Sequence, residues 1–81
     1  MRLTDKQRQI VVDNLGLAHY AANHFNINYY YDHEEVIAIS YYGLVLAVLG
    51  FDPEKGVKFS TYAVKSIKRT LYRELTYRYK T

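Results

Sequence analysis

The spacing of apolar residues along the chain predicts three helices. Behind Thr4 and Gln7, which have the spacing of a capping box, apolar residues recur every three or four positions and predict a first helix over about 4–25. A second helix, over about 33–49, is apolar nearly all round, which is typical of the most buried helix of a small domain. The third helix is predicted over about 60–77.

Turn-forming residues separate these helices. The segment NINYYYD, residues 26–32, lacks helical periodicity and predicts a loop, at whose end Asp32 can cap the second helix. Gly50 can end that helix, and Pro53 and Gly56 predict a turn in which Gly56 supplies a positive φ. No segment alternates with a period of two. We therefore expect an all-α fold, a single domain over all 81 residues. This would be a compact three-helix bundle with a short turn or an extra helical turn before the last helix.

The third helix has two faces of different chemistry. One stripe is apolar and must pack on the other helices: Val64, Ile67, Leu71 and Leu75. The opposite stripe carries rings and cations but no acid: Tyr62, Lys65, Ser66, Arg69, Tyr72, Arg73 and Thr76. Because cations track phosphates while rings stack on bases, this face favours a single-stranded nucleic acid as its ligand.

The charges are divided unevenly along the chain. The net charge is +3, yet residues 1–54 carry three Lys and Arg against seven Asp and Glu, whereas residues 55–81 carry eight against one. The last third, with a net charge of +7, is the candidate for a polyanion-binding surface. A helix that is merely basic and solvated is the alternative that charge alone leaves open.

Composition narrows the cellular setting. The chain has no Cys, so it has neither disulfides nor a thiolate metal site, and a reducing cytoplasm is the expected location. Its first residues are polar, unlike a signal peptide. The uncharged run 36–51 is shorter than the roughly 20 residues that cross a bilayer, so we expect a core helix and no membrane partner.

The histidines do not form a metal-binding or catalytic pattern. His19 and His24 lie about 140° apart around a helix. The sequence HEE at His33 lacks the second histidine of an HExxH site. No nucleophile, base and acid occur together in a recognisable order. We therefore expect no metal, no cofactor and no enzymatic activity.

Three segments of the chain resemble a known family. The sequences NLGLAHYAANHF, GLVLAVLGFDPEKGVKFSTYA and IKRTLYREL are similar to the second conserved region of bacterial sigma factors of the sigma-70 family, over about 13–75. The match is strongest over 43–63, where identity and spacing both agree.

The resemblance implies a helical domain that recognises and helps melt the promoter −10 element. In the family, the tyrosine of FSTYA, here Tyr62, stacks on a flipped adenine of the non-template strand. An arginine farther along the same helix, here Arg73, contacts the DNA backbone. Arg69 and Tyr72 match positions that read the upstream edge of the −10 duplex. The DNA-binding set implied in this way is Phe51, Asp52, Lys58, Thr61, Tyr62, Lys65, Ser66, Lys68, Arg69, Tyr72 and Arg73.

The resemblance also implies docking on the clamp helices of the RNA polymerase β′ subunit, but with two departures. The family motif Asp-Leu-Ile-Gln-Glu-Gly is replaced by EVIAIS, residues 35–40, in which the first acid survives as Glu35 while the glutamine and the second acid become Ala38 and Ile39. The docking set is then Glu35, Ala38, Ile39, Tyr41 and Tyr42. Moreover, Lys65 and Ser66 replace the two tryptophans of primary sigma factors, which indicates a specialised factor with less melting power.

Two further alternatives remain open at this point. The chain has no helix-turn-helix domain to read the −35 element. It is therefore either a fragment or one subunit of a two-subunit sigma factor, whose partner supplies that domain. Alternatively, it is a degenerate interaction module that binds a regulatory partner, such as an anti-sigma protein, without productive promoter recognition.

Overall fold

The computed structural model describes residues 2–25 and 32–79, with side chains through residue 77. Within this part, the chain forms four α-helices and a 3-10 turn, with no strand. The elements are α1 (Asp5–Asp13), α2 (Leu15–His24), α3 (His33–Gly50), the 3-10 turn (Pro53–Lys55) and α4 (Phe59–Tyr79). The expected all-α fold is confirmed. The predicted loop NINYYYD falls outside the described residues, except for Asp32.

The predicted first helix is divided into two by Asn14. The capping box at Thr4 and Gln7 is present, so α1 begins as expected. At Asn14 the side-chain amide donates to the carbonyl oxygen of Ile10 at 2.8 Å, while the backbone N–H donates to Val11 at 3.1 Å. The side chain thus bonds to the Ile10 carbonyl oxygen, which would accept the backbone N–H of Asn14 in a continuous helix, and α1 ends there. The prediction of one continuous helix was wrong at this residue.

Helix α3 is the centre of the fold and contacts the other three α-helices. Seven of its residues are buried. By length and composition alone, α3 is apolar enough to cross a membrane, but core helices of globular domains meet the same criteria. The apolar core consists of Ala18, Ala21, Ala22, Val36, Ile39, Leu44, Ala47, Ala63, Ile67, Leu71 and Leu75. The expected stripe of α4 therefore packs inward at Ile67, Leu71 and Leu75, while Val64 is partly buried.

Helices α3 and α4 approach each other closely at Gly43. A Cβ atom at this position would lie 2.9 Å from the Cα atom of Ile67, so only glycine fits without moving the α4 backbone. Next to it, the Ser66 hydroxyl donates to the Gly43 carbonyl oxygen at 3.4 Å. This contact fixes how α4 is rotated against the core.

A capped turn leads from α3 into α4. The Asp52 carboxylate accepts the backbone N–H of Glu54 at 3.0 Å, and Pro53 occupies the first position of the 3-10 turn. Gly56 then takes a φ of 74°, as the sequence predicts. The turn brings Phe51 and Asp52 next to the first residues of α4, where the candidate site lies.

Candidate nucleic-acid interface

A cleft lies between the end of α3, the 3-10 turn and the start of α4. It has a volume of about 420 Å³. We call it the aromatic cleft, and it is lined by Gly50, Phe51, Asp52, Lys55, Val57 and Tyr62. Three of these residues, Phe51, Asp52 and Tyr62, are predicted site residues. The cleft is large enough for a nucleobase, and its lining offers rings, a cation and a carboxylate.

The rings of the aromatic cleft form a packed group. The centroid of Phe51 lies 5.5 Å from that of Tyr62 at an interplanar angle of 51°, and 5.2 Å from that of Phe59 in an edge-to-face arrangement. Tyr62 is half-buried and packs against the core. A Cβ atom at Gly50 would lie 2.9 Å from the Tyr62 hydroxyl oxygen, so glycine there allows the ring to reach over the end of α3.

Lys55 and Val57 belong to the aromatic cleft but were not predicted as site residues. Both are exposed, and both lie in the turn between α3 and α4. A sequence pattern could not place them, because their position in the cleft depends on the fold of the turn at Gly56. Lys55 adds a cation at the aromatic cleft, where a phosphate of a bound strand can pair with it.

The predicted DNA-binding face of α4 is only partly a surface. The exposed members are Thr61, Lys65, Lys68, Arg69, Tyr72 and Arg73, and Lys58 just before the helix is exposed as well. Tyr72 is 69% exposed, so its ring is available for stacking. Ser66 instead faces α3, where it donates to Gly43. Its assignment to the open face of α4 was wrong, because the close helix contact turns this position inward.

Asp52 has a structural task beside its place in the cleft. Its carboxylate caps the 3-10 turn through the Glu54 N–H. One carboxylate oxygen is therefore committed to the turn. The remaining acceptor capacity of the carboxylate can meet an amino group of a base in the cleft.

A second cavity lies on the other side of Phe51, with a volume of about 320 Å³. Its lining is mostly apolar and is contributed by Ile10, Asn14, Val48, Phe51, Phe59 and Ser60. Phe51 therefore lines two cavities, and Asn14, the residue that ends α1, lines one of them.

The predicted polymerase-docking residues divide between two places. Glu35, Ala38, Ile39 and Tyr42 line a third cavity of about 300 Å³ together with Glu74 of α4, and we call this the α3–α4 cavity. Ile39 is only 5% exposed and belongs to the core, so it lies beneath the surface of this cavity. Glu74 was not predicted from the sequence.

Tyr41 lies apart from the other docking residues. Its hydroxyl group and the Nε2 atom of His19 are 2.7 Å apart, and the two rings meet edge to face. Tyr41 therefore joins α3 to α2 rather than lining the α3–α4 cavity. His24 is likewise engaged, since its Nδ1 atom lies 2.8 Å from the Tyr20 carbonyl oxygen. Among the described residues, no three His, Cys, Asp or Glu side chains form a group that could hold a metal.

Taken together, the fold and the site define a class of protein: a small helical domain that carries an aromatic cleft and a basic helix face. Comparison with known proteins then identifies the family. The family Sigma-70 region 2 matches residues 10–81, and the chain belongs to this family.

One curated relative supports this assignment. The chain is 36% identical over 69 residues to the RNA polymerase sigma factor RpoS of Coxiella burnetii (strain RSA 493 / Nine Mile phase I). The alignment covers 85% of this chain and 19% of that protein, so the chain spans about one fifth of its relative's length. No solved structure matches the chain.

Proposed function

We propose that the chain acts as the region 2 part of a sigma factor. It would recognise and help melt the promoter −10 element in the cytoplasm while bound to core RNA polymerase. The observation that carries this proposal is the aromatic cleft, in which Phe51 and Tyr62 lie together at the start of α4, within the segment that matches the family. Farther along, the same helix carries exposed cations. A nucleobase taken out of its stack needs a ring to replace the lost stacking, and its neighbouring phosphates need cations.

In this proposal, the single strand follows the start of α4. Tyr62 stacks on the flipped base, and Lys55 and Lys58 pair with phosphates beside the aromatic cleft. Farther along α4, the exposed side chains of Arg69 and Tyr72 meet the upstream duplex. A guanidinium there can make a bidentate contact with a guanine edge in the major groove, which would give sequence preference.

The proposed melting power is lower than that of factors with two tryptophans after FSTYA. Lys65 is exposed and contributes a cation but no ring. Ser66 is half-buried under the Gly43 contact, so this position offers no stacking surface. The stacking energy then comes from Tyr62 and Tyr72, at about 1–3 kcal/mol per base.

Docking on the polymerase is proposed to use the α3–α4 cavity and the clamp helices of β′. The accessible surface there is given by the exposed Ala38 and Tyr42 and the half-buried Glu35, which form a small acidic and apolar patch. Ile39 supports the patch from below. In a two-subunit factor, a separate polypeptide would supply the domain that reads the −35 element.

A second function is favoured by a specific observation. Exposed Ala38 and buried Ile39 stand where the family motif has a glutamine and an acid, so the patch offers fewer polar contacts to a polymerase. A degenerate interaction module that binds an anti-sigma protein or another regulator fits this change. The intact aromatic cleft favours the promoter-binding function.

The two functions are separated by one experiment with purified bacterial core polymerase. The 81-residue chain is mixed with core enzyme and a fluorescent single strand of −10-like sequence, and anisotropy is compared with that of a scrambled strand. We expect co-elution with core and selective binding of the −10-like strand. A chain that co-elutes with core but ignores the sequence, or that does not bind core, contradicts the promoter-binding function and favours the interaction module.

A further inference from the structure

The second cavity, at Phe51 and Asn14, differs in chemistry from the aromatic cleft, and we call it the apolar cavity. Among its described lining residues, none carries a charge, whereas a carboxylate and a cation line the aromatic cleft. Val48 is only 8% exposed, Phe51 and Phe59 are half-buried, and Ser60 is exposed. The lining is therefore deep at Val48 and reaches solvent at Ser60. Because burying a charge without a partner is costly, this lining fits a neutral ligand.

The side chains of the apolar cavity indicate an aromatic ligand with an N–H group. Phe51 and Phe59 meet edge to face, with centroids 5.2 Å apart, and a further ring can pack on such a pair. Ser60 contributes a hydroxyl group, and Asn14 contributes a side-chain amide whose nitrogen donates to Ile10. The side-chain oxygen atoms of Ser60 and Asn14 are acceptors that the ligand's N–H group can use. The volume of about 320 Å³ is near the lower end of the range for small-molecule sites, so one or two fused rings are the expected size.

Helix α1 gives the apolar cavity a wall that can adapt. It contributes Ile10, and Asn14 follows at its end. None of the residues of α1 is buried, and none belongs to the buried core cluster. An element with few buried contacts moves at a lower free energy than the core does. A small outward shift of α1 can therefore admit a ring while the core stays packed.

We propose that the apolar cavity binds a neutral aromatic molecule of one or two fused rings, and that this ligand opposes binding of the single strand by holding Phe51 in place. Only the second half of the inference rests on the proposed function. Phe51 lines both the apolar cavity and the aromatic cleft. Its centroid lies 5.5 Å from that of Tyr62, so the two rings are in contact and leave no space for a base between them. A base that enters there must displace Phe51, and a ligand packed on Phe51 resists this displacement.

This antagonism has two properties that can be measured. Coupling between two sites is reciprocal, so the ligand and the strand weaken each other's binding by the same factor. Coupling of this kind typically changes affinity by about 5- to 150-fold. Because the ligand and the lining are uncharged, binding of the ligand alone should not depend on salt, unlike binding of the strand.

Indole is the probe for the test, because it is a neutral two-ring aromatic with one N–H donor. It is titrated into the isotopically labelled 81-residue chain, and nuclear Overhauser effects between indole and methyl groups are recorded by NMR. We expect these effects at the methyl groups of Ile10 and Val48, with a Kd on the order of 1 mM for a ligand of this size. Indole-3-carboxylate, which adds a charge to the same rings, should bind more weakly.

A variant at the exposed edge of the apolar cavity gives a second measurement. Ser60→Phe adds a ring to the lining and should weaken indole binding by about 5- to 150-fold, as expected for overpacking. The control is Thr76→Phe, which makes a similar change at an exposed position of α4 that lines none of the three cavities. Far-ultraviolet circular dichroism confirms that each variant is folded. Absence of the effects at Ile10 and Val48, or equal affinity in the two variants, overturns the site.

The antagonism is measured on the complex with core polymerase. Anisotropy gives its affinity for the −10-like strand with and without saturating indole, and we expect indole to weaken strand binding. In Ser60→Phe, indole should leave strand affinity unchanged. A weakening that persists in this variant comes from outside the apolar cavity and overturns the antagonism.

The remaining outcomes separate the inference from the function on which its second half rests. Unchanged strand affinity in the unmodified chain, with indole bound at Ile10 and Val48, overturns the antagonism and leaves the proposed function standing. A complex that binds no strand even without indole overturns the proposed function and the antagonism together. In that case the NMR titration still decides whether the site exists.

Discussion

At the scale of single residues, Tyr62 has two roles that must be separated. Its ring lines the aromatic cleft and also packs against the core and Phe51. A change to alanine would remove both the stacking surface and part of the packing. Leucine retains apolar volume for the packing and removes the aromatic face, so it tests the proposed binding role more cleanly.

We predict that Tyr62→Leu weakens binding of the −10-like strand to the complex with core polymerase. The loss of one base–ring stack corresponds to about 1–3 kcal/mol, or roughly 5- to 150-fold in Kd. The measurement is anisotropy of a fluorescent strand. Tyr77→Leu is the control, because Tyr77 lies on the same helix, is 86% exposed and lines none of the three cavities. Unchanged affinity in Tyr62→Leu would remove Tyr62 from the proposed base contact.

The sequence predicted several residues of the candidate site, but the direction in which each side chain points depends on how the helices pack. Tyr62, Phe51 and Asp52 are found together in the aromatic cleft, as the resemblance implies. Ser66 was assigned to the open face because its angular position around α4 lies there. The close contact at Gly43 turns it toward α3 instead. Ile39 is likewise in the core, which the residue types of the docking motif do not reveal.

At the scale of helices, the sequence pattern was wrong where a single side-chain hydrogen bond ends a helix. The three-to-four spacing of apolar residues continues through Asn14, and it therefore predicted one helix where the structure has α1 and α2. The break depends on one side-chain amide that bonds to the Ile10 carbonyl oxygen. The caps at Thr4 and Asp32 and the positive φ of Gly56 were predicted correctly, because these signals are local in sequence.

The contact between α3 and α4 yields a stability prediction at this scale. Gly43→Ala should destabilise the fold by about 1–3 kcal/mol, because its Cβ atom would meet the α4 backbone at Ile67 and force the helices apart. Gly16→Ala is the matched control in α2, where nothing lies within 4 Å of the added atom. Alanine should stabilise that helix by up to about 1 kcal/mol. Thermal unfolding followed by circular dichroism measures both. A melting temperature that rises in both variants would contradict the close contact.

At the scale of the whole molecule, the uneven charge makes a prediction about salt. Arg73→Glu should weaken binding to every single strand, whatever its sequence. It should also flatten the dependence of log K on log salt by about 0.7 for each phosphate that the protein no longer neutralises. The measurement is a salt titration of affinity for −10-like and scrambled strands. Arg8→Glu, an exposed arginine on α1, is the control and should leave the slope nearly unchanged. A loss of sequence selectivity at an unaltered slope would assign Arg73 to base reading instead.

In the proposed function, the chain binds polymerase through the α3–α4 cavity. We predict that Glu35→Lys abolishes co-purification with core polymerase, because it places a cation where a basic partner side chain is expected to dock. Glu34→Lys, at the adjacent exposed position, makes the same charge change outside the cavity and should retain co-purification.

A gain of affinity gives the reverse test of the same surface. Ala38→Gln restores the glutamine of the family motif at an exposed position and should strengthen docking on core polymerase. The same approach is not open at Ile39, because an acid there would be buried in the core at a cost of several kcal/mol. The measurement is the docking affinity for core polymerase. Tighter docking of Ala38→Gln, together with loss of docking in Glu35→Lys, would indicate that the cavity is a polymerase-docking site of reduced affinity. If neither change alters docking, the α3–α4 cavity belongs to another partner, and the interaction module becomes the better explanation for the changes at Ala38 and Ile39.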